Sequence, residues 1–266
     1  MGKEILEQAF LKKQKANEKL FIPYIMAGDG GVGILENRIA FLEECGAAAI
    51  ELGIPFSDPV ADGPTIQEAG IRALGNGTTL IAVLDTLKTF QGTRTIPIIL
   101  MTYLNPIYSY GIEKFAFDCQ KAGVDGIIIP DLPMEEENIV AGALKENDIA
   151  FIRLAAMTSP KDRLEEIAKR SETFLYAVSV TGTTGARSVH DESVKDYLHL
   201  LKENSSVPVL AGFGVSNVEQ ARKLGAHCDG VIVGSKIVDL LHQEKDEEVR
   251  ALIKGSISPE LDTAKI

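Results

Sequence analysis

The stretch Glu51-Leu52-Gly53-Ile54-Pro55-Phe56-Ser57-Asp58-Pro59-Val60-Ala61-Asp62-Gly63-Pro64 sets the plan of the chain. It follows Ala47-Ala48-Ala49-Ile50, an apolar run of the length and composition of a buried strand. Glu51 ends that run. Gly53, Gly63 and the three prolines prevent either a helix or a ladder from continuing through the segment. Thr65-Ile66-Gln67-Glu68-Ala69 then opens a helix. The order is therefore strand, loop, helix, with a carboxylate at each end of the loop. An Asp in a loop is ordinarily a cap or turn residue, which is the reading given to Asp58. Glu51 is different, because a carboxylate ending an Ala/Ile run is costly to bury without a partner or a purpose. Glu51 and Asp62, facing each other across a pocket, suit acid–base chemistry if their surroundings set different pKa values.

The same unit repeats on both sides. Apolar strand runs are expected at 21–27, 47–51, 96–101, 126–130, 149–154, 174–178, 207–211 and 230–233. Helical patterns occupy 2–17, 34–45, the segment from 65, 111–121, 135–146, the segment after Ser159-Pro160, 192–203, 217–224 and the charged sequence from 236 onward. Between strands, one helical segment is expected each time, and Asn105-Pro106 is read as loop. Eight such βα units, with no linker or low-complexity tract, predict one α/β domain over residues 1–266. Its expected form is a single (β/α)8 TIM barrel with an extra N-terminal helix. An open doubly wound sheet is the alternative. In a barrel, the loops after the strands form the active face, which would gather Glu51, Asp62, Tyr103, Asp131, Tyr176 and the loop 180–189.

Composition narrows the partners. The chain has 266 residues, 45% of them hydrophobic, enough for one large core. A formal charge of -11 leaves no basic patch for nucleic acid or an anionic membrane. A small phosphate ester is still possible, because backbone N–H groups alone can hold one. Cys45, Cys119 and Cys228 are far apart and form no C-x-x-C pair, which points to a reducing, cytoplasmic setting. His190, His199, His227 and His242 have no metal-ligand spacing, so no metal is expected. No apolar stretch is long enough to span a bilayer, and the first residues lack a signal-peptide core.

The phosphate signal lies in the last quarter. Ala211-Gly212-Phe213-Gly214-Val215 follows the seventh strand and Gly234-Ser235 the eighth, where barrels often hold a phosphate. By contrast, Gly28-Asp29-Gly30-Gly31 lacks the G-x-G-x-x-G spacing and reads as a turn. Thr181-Gly182-Thr183-Thr184-Gly185-Ala186-Arg187-Ser188 is long for a βα connection and has the composition of a lid. Arg187 would meet the phosphate or face water. Tyr24, Tyr103 and Tyr176, with Phe213, are candidates for an aromatic pocket, although core packing is the commoner role of such residues. Arg153, inside an apolar strand, is expected to reach outward between helices.

The segments ELGIPFSDPVADGPTIQ, PIILMTYLNPIYSYG, GVDGIIIPDLP, LYAVSVTGTTGAR, LAGFGVSN and IVGSKIV together resemble the tryptophan synthase α subunit family. They occur in the family's order and cover nearly the whole chain. The resemblance implies a (β/α)8 barrel that cleaves indole-3-glycerol phosphate to indole and glyceraldehyde 3-phosphate. It implies no cofactor in this chain and a pyridoxal-phosphate-containing β subunit as partner in an α2β2 assembly. By position, the family's catalytic glutamate falls on Glu51 and its aspartate on Asp62. The lid threonine and glycine fall on Thr184 and Gly185, the sixth-strand tyrosine on Tyr176, and the phosphate loops on Gly214, Gly234 and Ser235. Tyr24, often Phe in the family, would touch the ring. Many members have Asp-Pro where this chain has Asp29-Gly30, a change expected to loosen a turn. Many also have Gly-Val-Thr-Gly where it has Gly182-Thr183-Thr184-Gly185, which bears on the lid's packing. Another phosphate-binding barrel isomerase or lyase, and a catalytically silent activating subunit, are the alternatives. The first disagrees with the ELGIPFSDPVADG loop and the second with the Glu51/Asp62 pair. Apolar loop residues (Ile54, Pro55, Phe56, Pro59 and Val60; Pro106, Ile107 and Tyr108; Leu132, Pro133 and Met134) are expected to gather at one rim as a partner surface, with Asp58 and Asn105 as polar anchors.

Overall fold

The computed structural model describes residues 2–178 and 192–258. Strands β1 (Leu20–Met26), β2 (Ile50–Gly53), β3 (Ile98–Met101), β4 (Gly126–Ile128), β5 (Ala150–Ala156), β6 (Leu175–Val178), β7 (Val209–Gly212) and β8 (Gly230–Val233) are parallel and pair in chain order. β8 closes on β1 through Leu20↔Gly230 and Pro23↔Val233. The barrel is therefore closed, and the doubly wound alternative is excluded. Gly230 makes this closure possible, because a Cβ there would sit 2.1 Å from the Leu20 carbonyl oxygen.

Inside the barrel, Leu20, Ile22, Ile99, Ile128, Ile152, Phe174, Leu210 and Ile232 form one buried cluster. Helix α1 (Gly2–Lys15) closes the N-terminal end by adding Leu6 and Phe10 to it. The Phe10 and Phe174 rings meet edge to face at 5.7 Å. This is the extra helix expected at the start of the chain. A second cluster fills the layer between the strands and the outer helices.

The helices depart from the one-per-unit expectation. After β1 comes α2 (Leu35–Cys45), and after β2 come α3 (Pro64–Gly75) and α4 (Leu80–Thr89). After β3 come α5 (Leu104–Tyr110) and α6 (Ile112–Lys121). The remaining helices are α7 (Asn138–Glu146), α8 (Lys161–Arg170), α9 (Glu192–Asn204), α10 (Val218–Gly225), α11 (Ser235–His242) and α12 (Asp246–Ile257). Leu80–Thr89 is helical because Thr79 caps it, its hydroxyl accepting the Ala82 N–H at 3.1 Å. The segment around Asn105-Pro106 is helix rather than loop. Pro106 lies in the first turn of α5, where its missing N–H leaves no bond unmade.

The turn after β1 is held firmly, against expectation. The Asp29 carboxylate takes a bidentate pair of bonds from Arg72 at 2.7 and 2.8 Å. Arg38 donates to the Asp29 carbonyl and the Asn76 amide to the Gly28 carbonyl. Gly30 has φ +92°, a conformation closed to proline, so the turn differs in kind from an Asp-Pro turn. Arg153 does reach outward between helices. It donates to Glu137 at 2.8 Å and to the Arg170 carbonyl at 2.7 Å.

Candidate active site

The C-terminal mouth of the barrel opens into a large cavity. Its wall includes Tyr24, Glu51, Asp62, Tyr176, Phe213, Gly214, Gly234 and Ser235. Eight of the candidate residues thus share one chamber although 211 positions separate Tyr24 from Ser235 in the chain. Thr184, Gly185 and Arg187 lie outside the described residues.

Glu51 is a buried carboxyl in the cavity wall. Strand β2 places it at the level of Tyr24 on β1 and Ile99 on β3. It is 1% exposed, and its Oε2 has no hydrogen-bond partner among the described residues. Such a group strongly disfavours charge. Burial pushes the Glu51 carboxyl up to about 8, and the nearby Asp62 adds to the shift. Asp62 stands at the end of the loop, one residue before Gly63, the cap of α3. Burial raises it to about 6, and a hydrogen bond from Tyr103 works against that rise. The two carboxyls therefore fall on opposite sides of neutral pH, with Glu51 protonated and Asp62 ionised. Burial also raises the phenols of Tyr24 and Tyr176, and both carboxyls reinforce the effect. These tyrosines stay neutral and line the cavity wall.

Close packing fixes both rings. A Cβ on Gly53 would lie 1.9 Å from the Tyr24 hydroxyl, so that ring occupies the space above Gly53. A Cβ on Gly212 would lie 2.5 Å from the Tyr176 ring. After β7 and β8, the strands between these two rings, Gly214 has φ +65°, and Gly234 caps the N-terminus of α11. The chain's own atoms leave Gly234 room, the nearest to a Cβ there being 3.6 Å away. The first N–H groups of α11 point out of this end, in the manner of an anion site.

Tyr103 differs from the expectation. It is 3% exposed and does not face the cavity. It stands behind the loop of Asp62, its hydroxyl accepting the Ala61 N–H at 3.1 Å. Met101, Ile128, Leu154 and Ile232, which the sequence reading did not single out, face the cavity from β3, β4, β5 and β8. Counting every second residue inward along each strand would have found them, since side chains alternate across a sheet. Among the described residues no cluster of three or more His, Cys, Asp or Glu has the geometry to hold a metal. No described helix is long and apolar enough to cross a membrane.

The expected rim is only partly exposed. Ile54, Pro55 and Ile107 are buried, the first and last within the outer-layer core, Ile107 on the inward face of α5. Val60 is 81% exposed and Tyr108 72%. Asp58, Asn105 and Pro133 are exposed as well, and Phe56, Pro59, Pro106, Leu132 and Met134 are half-buried.

Residues 10–264 match the family model described as "Tryptophan synthase alpha chain". The tryptophan synthase alpha chain of Oceanobacillus iheyensis is 61% identical over 257 residues, which is 97% of this chain and 98% of that one. Among solved structures, tryptophan synthase subunit alpha from Legionella pneumophila superposes with TM-score 0.85 at 32% identity, covering 95% of this chain and 96% of that chain. The tryptophan synthase of Mycobacterium tuberculosis gives TM-score 0.86 at 34% identity, covering 94% of this chain and 96% of that chain. A match that runs through the barrel from α1 to past its last helix leaves one assignment: the chain belongs to the tryptophan synthase alpha chain family.

Proposed function

We propose that this chain cleaves indole-3-glycerol phosphate to indole and glyceraldehyde 3-phosphate, with Glu51 moving protons and Asp62 holding the ring nitrogen. The cleavage step is the family's reaction, a lyase step in tryptophan biosynthesis. The observation that carries the residue roles is the pair of buried carboxyls raised to about 8 and about 6.

In a retro-aldol cleavage the indole ring is itself the electron sink, so the chemistry needs proton transfer and no added cofactor. Neutral Glu51 donates its proton to C3 of the ring, and positive charge develops toward the ring nitrogen. Ionised Asp62 accepts the ring N–H and stabilises that charge. The bond between C3 and the glycerol carbon then breaks, returning its electrons to the ring. The hydroxyl on that carbon becomes the aldehyde and gives its proton to the Glu51 carboxylate, which restores the acid. Tyr24, Tyr176 and Phe213 enclose the ring, and the phosphate lies against Gly214, Gly234 and Ser235 at the start of α11.

The direct test supplies indole-3-glycerol phosphate and measures indole. Turnover is expected from the phosphate ester and not from its dephosphorylated form. The kcat/KM profile is expected to be bell-shaped, with limbs near 6 and 8. The acid limb follows Asp62 ionising and the alkaline limb follows Glu51 losing its proton. Equal turnover of both substrates would remove the phosphate site, and a flat profile would remove the paired roles.

The family implies a β-subunit partner. The α2β2 arrangement, and pyridoxal phosphate within that partner, belong to the same proposal. Indole is small and apolar, so direct transfer to a second enzyme prevents its loss to solvent. Val60 and Asn105, both exposed beside the mouth, favour this rim as the docking face. Val60→Arg and Asn105→Arg are expected to leave unassisted cleavage intact and abolish its activation by added β subunit. Full activation of both variants would place the partner elsewhere.

A further inference from the structure

The loop that carries Asp62 is thinly anchored. Residues Ser57, Asp58, Val60 and Ala61 are exposed. Its backbone bonds are local, Val60 N–H to the Asp58 carbonyl and Asp62 N–H to the Pro59 carbonyl. The Gln67 side chain, from the adjoining α3, donates to the Asp62 carbonyl. Among the described residues, the tie from residues 57–62 to another βα unit is the Tyr103 hydroxyl, which accepts the Ala61 N–H at 3.1 Å and donates to the Asp62 carboxylate. The Tyr103 ring adds a second contact with this segment, packing on Phe56 at 5.4 Å between centroids.

Tyr103 is itself fixed from the other side. It caps α5, and the next N–H, of Leu104, donates to the Asp131 carboxylate at 2.9 Å. Thus α5 is tied to the β4 loop at its first turn, and Tyr103 extends from that joint to the loop of Asp62. Because the phenol is buried behind the loop and away from the cavity, it acts on substrate only through its neighbour. We propose that Tyr103 is a positioning residue whose hydroxyl pins the Asp62 loop to the first turn of α5 and sets the direction of the Asp62 carboxyl. The inference rests on the reading of Asp62 as the acceptor of the ring N–H. It also gives α5, which exposes Asn105 and Tyr108 at the rim, a route to the reacting centre.

The groups that face Asp62 fix the sign of the pH effect. Glu51 faces it from β2, Tyr24 from β1 and Tyr176 from β6. Tyr103 faces it from the start of α5, with Asp131 beyond Tyr103 on the β4 loop. The Tyr103 bond lowers the Asp62 pKa against burial. Its loss therefore moves the acid limb of the kcat/KM profile to higher pH.

The test is Tyr103→Phe, which keeps the ring and its contact with Phe56, measured beside Asp62→Asn. The expected result is a fall in kcat of about 10- to 100-fold, the size of a lost hydrogen bond to a charged group. KM is expected to stay within about twofold, as for a group that makes no uniform contact with substrate, and the acid limb to move upward. If Asp62→Asn is inactive while Tyr103→Phe keeps its rate and its limb, the positioning role is overturned. A loss expressed in KM with an unmoved limb also overturns it, in favour of a simple packing role. If Asp62→Asn retains full turnover, the underlying reading of Asp62 fails and takes this role with it.

Discussion

Glu51→Gln is expected to lower kcat by about 10²–10⁴-fold, the usual contribution of positioned proton transfer, and to raise the melting temperature at alkaline pH. The first effect follows from chemistry, since an amide neither donates the proton to C3 nor receives the one from the hydroxyl. The second follows from linkage. The Glu51 carboxyl ionises at about 8 in the folded chain, against an ordinary 4.5. The folded state therefore holds a proton that the unfolded chain releases, and stability falls as pH rises between these values. Below the lower value both states are protonated and the glutamate costs nothing. Above the upper value the folded chain carries a buried charge costing about 3–5 kcal/mol, an upper range from the size of the shift. Glutamine removes that cost and leaves a neutral group of the same shape. At pH 4 the two proteins should melt together, while at pH 9 the variant should melt on the order of 10 °C higher. Thermal melts at both values, with indole release at pH 7, check the prediction. A variant that is equally or less stable at pH 9 would mean that Glu51 is not held neutral by its site.

This opposition between stability and activity was legible at Glu51 because the sequence places a carboxylate at the end of an Ala/Ile run. Burial there needs only the strand assignment. The barrel was legible for a similar reason, since each strand is an apolar run set off by Gly, Pro or charge. What depended on register was hidden. Tyr103 reads as one more aromatic after a strand, and its place behind Asp62 comes from how far the β2 loop folds back. Ile54 and Ile107 read as exposed loop residues, yet both turn into the outer core. Leu80–Thr89 is hidden because its apolar, β-branched start has no clear period, and α5 because Pro106 looks like a breaker. The outward course of Arg153 is legible from its place in an apolar strand, but its acceptors, Glu137 and the Arg170 carbonyl, come from elements that only the fold brings together.

Gly53→Ala is expected to lower kcat/KM by roughly 10²-fold or more, by driving one ring into the substrate's place. Gly53 lies two residues beyond Glu51 on β2 and therefore faces the same side of the strand. Its partner across the ladder is Met26, and Tyr24 lies one inward position below. The Tyr24 ring fills the space a side chain would take: an added Cβ would stand 1.9 Å from its hydroxyl, 2.5 Å from Cζ and 2.9 Å from Cε2. All three distances are shorter than real contacts, so the ring must move. It has little room to move sideways, since Met26 and Ile66 pack with it in one buried cluster, and the free volume lies in the cavity. Displaced there, it occupies the indole site and leaves Glu51 without its cover. The overpacking itself costs about 1–3 kcal/mol, so the fold survives while the site fails. Shortening the displaced group separates the two effects. Gly53→Ala combined with Tyr24→Leu should be more active than Gly53→Ala alone, although Tyr24→Leu by itself loses a ring wall. Tyr24→Phe should relieve little, because Cζ would still be too close. The measurement is kcat/KM for the three single variants and for Gly53→Ala combined with each Tyr24 change, with urea unfolding to confirm that each is folded. Losses that simply add in the pair with Tyr24→Leu would show that Gly53 and Tyr24 act independently, and the close approach would then have no part in shaping the site.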